Sequence, residues 1–527
     1  MFDIIIKNST ILDGSGKEGF AADIGISNDR IVKIGKIEES GRQVIDAKGL
    51  IVSPGFVDCH SHSDYYLIIN PLAESKVRQG VTTEIGGNCG YSAAPLSGEA
   101  LEERKNAYKK AYNLEHDWKD VKGYFNRLER QGTSLNFALL IGHNTVRASV
   151  IGGDSREPNK KEMSQMKEMV QQAMKEGAIG LSTGLAYGPA CFAKKEELIQ
   201  LCKEVRKYGG IFTVHMRSEG KGLLEAIEES ILIAKEAEIP LQISHLKTYG
   251  EENWGKLDSA FELIEKAKAD GLDVTCDRYP YTAANTGLHN VFPNWVLDGG
   301  IKKEMERLKN KDVREKIKTG LQKIKGDKDI WDKIMISEVI TEKNKIYEGK
   351  RVSEAAGIAK KEPIEFVFDI LVEDEIAVDA IFFKMSEENL KRILKKPYVI
   401  FGSDSGARAD YGALGRGRSH PRTFGTFPRV LGRYVREEKI LALPTAIKKM
   451  TSDACRKFNI KERGLIKEGY FADIVIFNPD TIIDTATYED PHNYPAGIEY
   501  VIVNGRVTVE KGKHLGTKAG GIIKAET

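Results

Sequence analysis

Six residues stand out for the chemistry their side chains can do: His60, His62, Cys89, His215, His245 and Asp404. Each closes a hydrophobic run that reads as a buried strand, at 55–62, 81–89, 211–215, 241–245 and 398–404. Imidazole and carboxylate suit divalent zinc, and a thiolate moves the choice further towards it. Along a strand, side chains alternate between faces. Asp58, His60 and His62 are therefore expected to point one way, and Cys59 and Ser61 the other. His60 and His62 can then share one ion. The other reading of His-x-His, two surface histidines on an edge strand, sits poorly with the flanking Phe56-Val57. A single strand-end histidine is more often a core residue than a ligand. Three separate occurrences joined by a strand-end aspartate are hard to obtain that way.

The elements that must position these residues follow from the hydrophobic pattern. Strand-like runs fall at 55–62, 81–89, 136–143, 178–185, 211–215, 240–245, 273–281 and 398–404, with helical periodicity at 162–176, 223–237 and 259–269 between them. Eight strands alternating with helices imply a (β/α)8 barrel, whose active site lies at the C-terminal ends of the strands. The connection between runs seven and eight is far longer than an ordinary loop. Part of it, 285–341, reads as a helical insertion over the barrel mouth, with 334–339 able to be a strand of either unit. Short strands and turns fill 1–53 and return near the C-terminus, where Asn504-Gly505 between two alternating runs signals a hairpin. Neither end can bury a core alone, so both are expected to build one small β-sandwich. The expected order is sandwich 1–53, barrel 54–284, insertion 285–341, barrel 342–455 and sandwich 456–527.

Composition narrows the function classes. At 527 residues the chain can bury a large core, and its 79 basic against 77 acidic residues leave no field to attract nucleic acid or an anionic membrane. The Lys-rich stretch 302–328 mixes acidic and apolar residues and reads as solvated helix surface. Six cysteines (Cys59, Cys89, Cys191, Cys202, Cys276 and Cys455) show no framework spacing, which suits a reducing cytoplasm. The first residues lack the pattern of a signal peptide, and no apolar run is long enough to span a bilayer. A soluble cytoplasmic protein is expected, with no assigned oligomeric state.

Longer motifs then match a known family. The run 49–62, which carries His60 and His62, and the closing run 464–475 resemble the entry and return of the amidohydrolase superfamily. Gly87-Asn88-Cys89-Gly90, Ser182-Thr183-Gly184-Leu185, Ser244-His245-Leu246-Lys247, Tyr279-Pro280-Tyr281 and 425–431 are similar to its D-aminoacylases, the N-acyl-D-amino-acid deacylases. Many superfamily members bridge two metals with a lysine on the fourth strand. Run 178–185 has none, and Cys89 is the natural replacement, a buried structural thiol being its alternative.

The resemblance implies a tight zinc on Cys89, His215 and His245, with His60, His62 and Asp404 around a second, weaker position. Such an ion lowers the pKa of a bound water to about 7 and polarises a carbonyl. Asp404 would carry the proton from that water to the leaving amine, or serve only as a ligand. Lys247, two residues past His245, would pair with the substrate carboxylate, Tyr279 would help hold it, and Tyr187 would contact the acyl amide. The alternatives are a solvated lysine and two packing tyrosines. His143 has no metal role to inherit and is expected behind the ligands. The arginine-rich loop 406–422 suits an acidic substrate side chain, or else ties the fold together. The expected reaction is hydrolysis of N-acyl-D-amino acids, small molecules. The competitors are hydrolysis of a cyclic amide or D-residue dipeptide, and a metal-free scaffold barrel.

Overall fold

A computed structural model describes residues 1–324 and 330–525. Its centre is an eight-stranded parallel sheet: Phe56–Asp58, Val81–Gly86, Asn136–Gly142, Gly180–Gly184, Ile211–His215, Leu241–Ile243, Val274–Arg278 and Val399–Phe401, each beside its neighbour in chain order. All eight expected runs are strands, but most stop short of the chemistry-bearing residue. Among the described residues no ladder joins the eighth strand to the first. That seam closes just past the strand ends, where Asp404 N–H donates to His60 O at 2.8 Å and His62 N–H to Ser405 O at 3.1 Å. Helices cover the outside for the usual reason. Lys160–Lys175, for example, buries Met163, Met166, Val170, Ala173 and Met174 along one face and starts at an Asn159–Glu162 capping box.

The two chain ends share one nine-stranded sheet. Its first strand, Phe2–Ile11, pairs with 41–46 over its first half and with Ile51–Pro54 over its second, with left-handed Asn8 (φ 58°) at the change. Ile51–Pro54 pairs in turn with Ile474–Phe477 near the other end of the chain. Ile4, Ile6, Ile24, Ile26, Val52, Ile474, Ile476 and Ile502 then fill a common core. Asn504 and Gly505 both take positive φ between Ile498–Val503 and Arg506–Glu510, as a tight hairpin requires. Beyond His514 the chain leaves this sheet. Gly520 and Ile523 donate to Thr133 O and Phe137 O, so the tail lies along the base of the barrel rather than in the sandwich.

The insertion differs from the helical segment expected at 285–341. Ala284–Gly287, Asp379–Phe382 and Ile334–Glu338 form a three-stranded antiparallel sheet in that order, so the excursion closes beside the point where it opens. Val352–Ala359 and Pro363–Glu373 pack into its core with Leu288, Ile317, Ile336 and Phe382. The segment 342–382 therefore packs with the insertion, because its apolar residues face that second core. Of the Lys-rich stretch, Gly300–Lys309 and Lys311–Ile324 are helices, and 325–328 lie outside the described residues.

Candidate metal centre

Side chains from five strand ends converge at the barrel mouth. Donor atoms of Cys89, His215 and His245 lie within 4.8 Å of one another, and so do those of His60, His62, Cys89 and Asp404. Cys89 belongs to both groups. Its Sγ is 3.2 Å from His60 Nε2 and 3.6 Å from His245 Nε2. Asp404 Oδ1 lies 3.0 Å from His62 Nε2 and 3.4 Å from His60 Nε2. Cys89, His245 and Asp404 all adopt left-handed backbone (φ 50°, 35° and 52°), a costly conformation for such residues that clusters at functional sites. The glycines around Cys89 follow from crowding. A Cβ on Gly87 would lie 2.0 Å from Leu140 O, and one on Gly90 1.8 Å from Asn144 Oδ1.

The electrostatics favour a thiolate. Burial pushes the Cys89 thiol up, yet the His60, His215 and His245 imidazoles around it hold it well below the usual thiol range. Burial likewise works against an ionised Asp404, but Arg422, His245 and His60 keep it well below the ordinary carboxylate range. A thiolate and two imidazoles, one of them His215 with a buried Nδ1 that has no hydrogen-bond partner, form a donor set that fits a zinc ion.

A family model described as Amidohydrolase family matches residues 43–509. A D-aminoacylase of Alcaligenes xylosoxydans xylosoxydans is 34% identical, over 99% of this chain and 97% of its own. The chain belongs to the amidohydrolase family. An N-acyl-D-aspartate deacylase of the same organism is 33% identical over 99% of this chain and 95% of its own. The solved N-acyl-D-glutamate deacylase of Bordetella bronchiseptica, complexed with zinc and a phosphonate inhibitor that mimics the tetrahedral intermediate, superposes with a TM-score of 0.84. It is 31% identical, and the match covers 99% of this chain and all of that one.

Within this amidohydrolase the candidate ligands are oriented by residues that the sequence did not single out. Asp277, on the seventh strand, lies 3.0 Å from His60 Nδ1 and accepts the His245 N–H at 2.8 Å and the Gln242 amide at 2.9 Å. Glu219 lies 2.8 Å from His245 Nδ1. Such carboxylates fix the tautomer and ring direction of a ligating histidine. Arg422 donates to Asp404 Oδ2 at 2.7 Å. An isolated carboxylate on a strand or in a loop has no spacing signature, so only Arg422, in the arginine-rich loop, carried any signal.

The sequence-based geometry needs correction at two points. The first strand ends at Asp58, so alternation does not carry on to His60 and His62. Asp58 turns away from the site to Lys76 (2.7 Å) and Ser403. Lys247 is near His245, but not through a shared strand face, because that strand ends at Ile243. It is buried, with Nζ 2.5 Å from Glu219 Oε1 and 2.6 Å from His245 Nδ1.

Tyr279 has a buried, unpartnered hydroxyl and a ring flanked by Arg278 (4.2 Å), Arg422 (4.6 Å) and Lys247 (5.9 Å). The Tyr187 ring lies 4.5 Å from that of His215, and its hydroxyl meets Thr286 of the insertion at 3.4 Å. His143 is in neither donor group and bonds Thr183 (2.8 Å) and Glu197 (2.7 Å). In the 406–422 loop, Arg408 pairs with Glu338, while Arg416 and Arg418 donate to the Ala111 and Glu489 carbonyls. Three of its four arginines thus bind the fold, and Arg422 alone reaches the site.

Proposed function

We propose that this amidohydrolase is a zinc-dependent deacylase of N-acyl-D-amino acids, releasing a carboxylate and a free D-amino acid. The observation that carries the reading is Cys89, shared between a Cys-His-His donor set and a His-His-Asp group at one barrel mouth. The three relatives described above, a D-aminoacylase and deacylases of N-acyl-D-aspartate and N-acyl-D-glutamate, agree with it. Cys89, His215 and His245 would hold one tight zinc, and His60, His62 and Asp404 would flank a weaker second position. When bound, the zinc supplies an acidified water and a Lewis acid for the amide carbonyl.

The rest is the work of this chain's own groups. Asp404 takes a proton from the attacking water and passes it to the leaving nitrogen. Arg422 occupies Oδ2 of Asp404, which leaves Oδ1 facing His60 and His62 for that transfer. Lys247 and Tyr279, with Arg422 beside them, form the basic wall suited to the substrate α-carboxylate. Tyr187, against His215, lines the side facing the acyl amide. The substrate is a small molecule. Among the described residues no helix is long and apolar enough to cross a membrane, and six free buried cysteines support a cytoplasmic location.

The test is a side-by-side hydrolysis screen of N-acetyl-D- and N-acetyl-L-amino acids. Turnover confined to D substrates is expected. Turnover of L substrates alone, or of neither, contradicts the reading.

A further inference from the structure

Lys76 lies in the short helical turn Glu74–Val77 ahead of the second barrel strand and is wholly buried. Its ammonium donates to Asp58 Oδ2 at 2.7 Å, to Ser403 Oγ at 2.6 Å and to Ser405 O at 2.9 Å, and lies 3.0 Å from Glu84 Oε1. These partners span the barrel seam. Asp58 ends the first strand, Glu84 lies on the second, and Ser403 and Ser405 flank Asp404 just past the eighth. Asp58 Oδ1 adds to the clasp by accepting the Ser403 N–H at 2.8 Å and the His60 N–H at 3.3 Å. Ser405 O, held by Lys76, is also the acceptor for His62 N–H.

Burying an ammonium with two carboxylates is unfavourable unless the geometry is excellent, and an apolar plug of similar volume would seal the seam without that cost. What an apolar side chain cannot do is hold an oxygen on each side of Asp404. We propose that Lys76 is a positioning residue: by gripping the Ser403 hydroxyl and the Ser405 carbonyl, it fixes left-handed Asp404 against His60 and His62. The proposal rests on the reading of Asp404 as the proton carrier. Lys76 touches no substrate. It acts through the placement of that carboxylate, and small misplacements of a reacting group cost large factors in rate.

The experiment compares four zinc-loaded proteins for melting temperature, bound zinc, kcat and KM on the best N-acetyl-D-amino acid: wild type, Asp404→Asn, Lys76→Met/Glu84→Gln and Ser403→Ala. Lys76→Met alone would strand two buried carboxylates, so Glu84→Gln removes one of them. Because the bonds of Lys76 and Glu84 go to Ser63, Asp58, Ser403 and Ser405 and to none of Cys89, His215 and His245, the double variant should keep one zinc per chain. Its KM should stay within about threefold while kcat falls about 10- to 100-fold. Ser403→Ala keeps all three charges and loses one handhold, so kcat should fall about 3- to 10-fold at unchanged KM.

A double variant with wild-type kcat, or one that loses zinc, KM and kcat together, overturns the proposal. If the double variant does not fold, Ser403→Ala decides, and an unchanged kcat there overturns it equally. Near-normal turnover by Asp404→Asn overturns the reading of Asp404 and the proposal with it, which separates that failure from a failure of Lys76 alone.

Discussion

The two donor groups that share Cys89 are built differently. Cys89, His215 and His245 are all buried, offer a sulfur and two imidazoles, and leave His215 Nδ1 with no partner within the protein. His60, His62 and Asp404 satisfy one another: Asp404 takes Arg422 on one oxygen and faces both imidazoles with the other. A buried polar atom without a partner is costly, so the first group gains most from an ion. The second must give up existing contacts to bind one. That contrast supports the proposed division of labour, tight binding on one side and proton transfer on the other.

The contrast breaks most visibly at its shared residue. Cys89→Ala removes the thiolate from both groups, so bound zinc should fall from about one per chain to near zero by metal analysis, with turnover lost on the order of 10⁴-fold or more, beyond a single proton-transfer effect. Two histidines remain, so added zinc should bind weakly rather than not at all. Full zinc occupancy in this variant would reassign the tight site. Asp404→Asn keeps size but cannot carry a proton. It should keep the zinc and lose about 10²–10⁴-fold in kcat. Loss of the zinc instead would merge the two groups into one.

Lys247→Ala sharpens the comparison from the substrate side. If the ammonium pairs with the substrate carboxylate, the lost contact is worth about 1.5–3 kcal/mol, or about 10- to 150-fold in kcat/KM. The loss should nearly vanish on the corresponding substrate amide, and discrimination of D from L should weaken. Because Lys247 already sits between Glu219 and His245, equal losses on acid and amide would mean that it serves the metal site instead. The smallest expected effect is for Asp277→Asn, which weakens the orientation of His60 and the backbone of His245 together. Zinc affinity should drop about 10-fold, the low end for an outer carboxylate, by competition with a chelator. An unchanged affinity would leave Asp277 as a packing residue.

The barrel was legible because eight apolar runs at strand length punctuate the sequence, and the six metal-capable residues because each closes one of them or falls just past it. The residues that orient them were not. Asp277, Glu219 and Lys76 act through partners far away in sequence, and a lone buried charge looks the same on the page as a solvated one. The insertion shows the same limit. Ala284–Gly287 pairs with Asp379–Phe382, a closure set by long-range strand pairing that local periodicity does not record. The tail was misassigned for a related reason: residues 520–525 bond to strand edges at the barrel base, which no local pattern announces.

The account turns on a single zinc at Cys89, His215 and His245 being sufficient for the chemistry. Metal-free protein titrated with zinc, with hydrolysis of an N-acetyl-D-amino acid followed at each addition, tests that directly. The rate should climb in proportion to zinc and reach its full value at one equivalent per chain. A rate that appears only as the second equivalent binds, or that is already complete before any zinc is added, would contradict it.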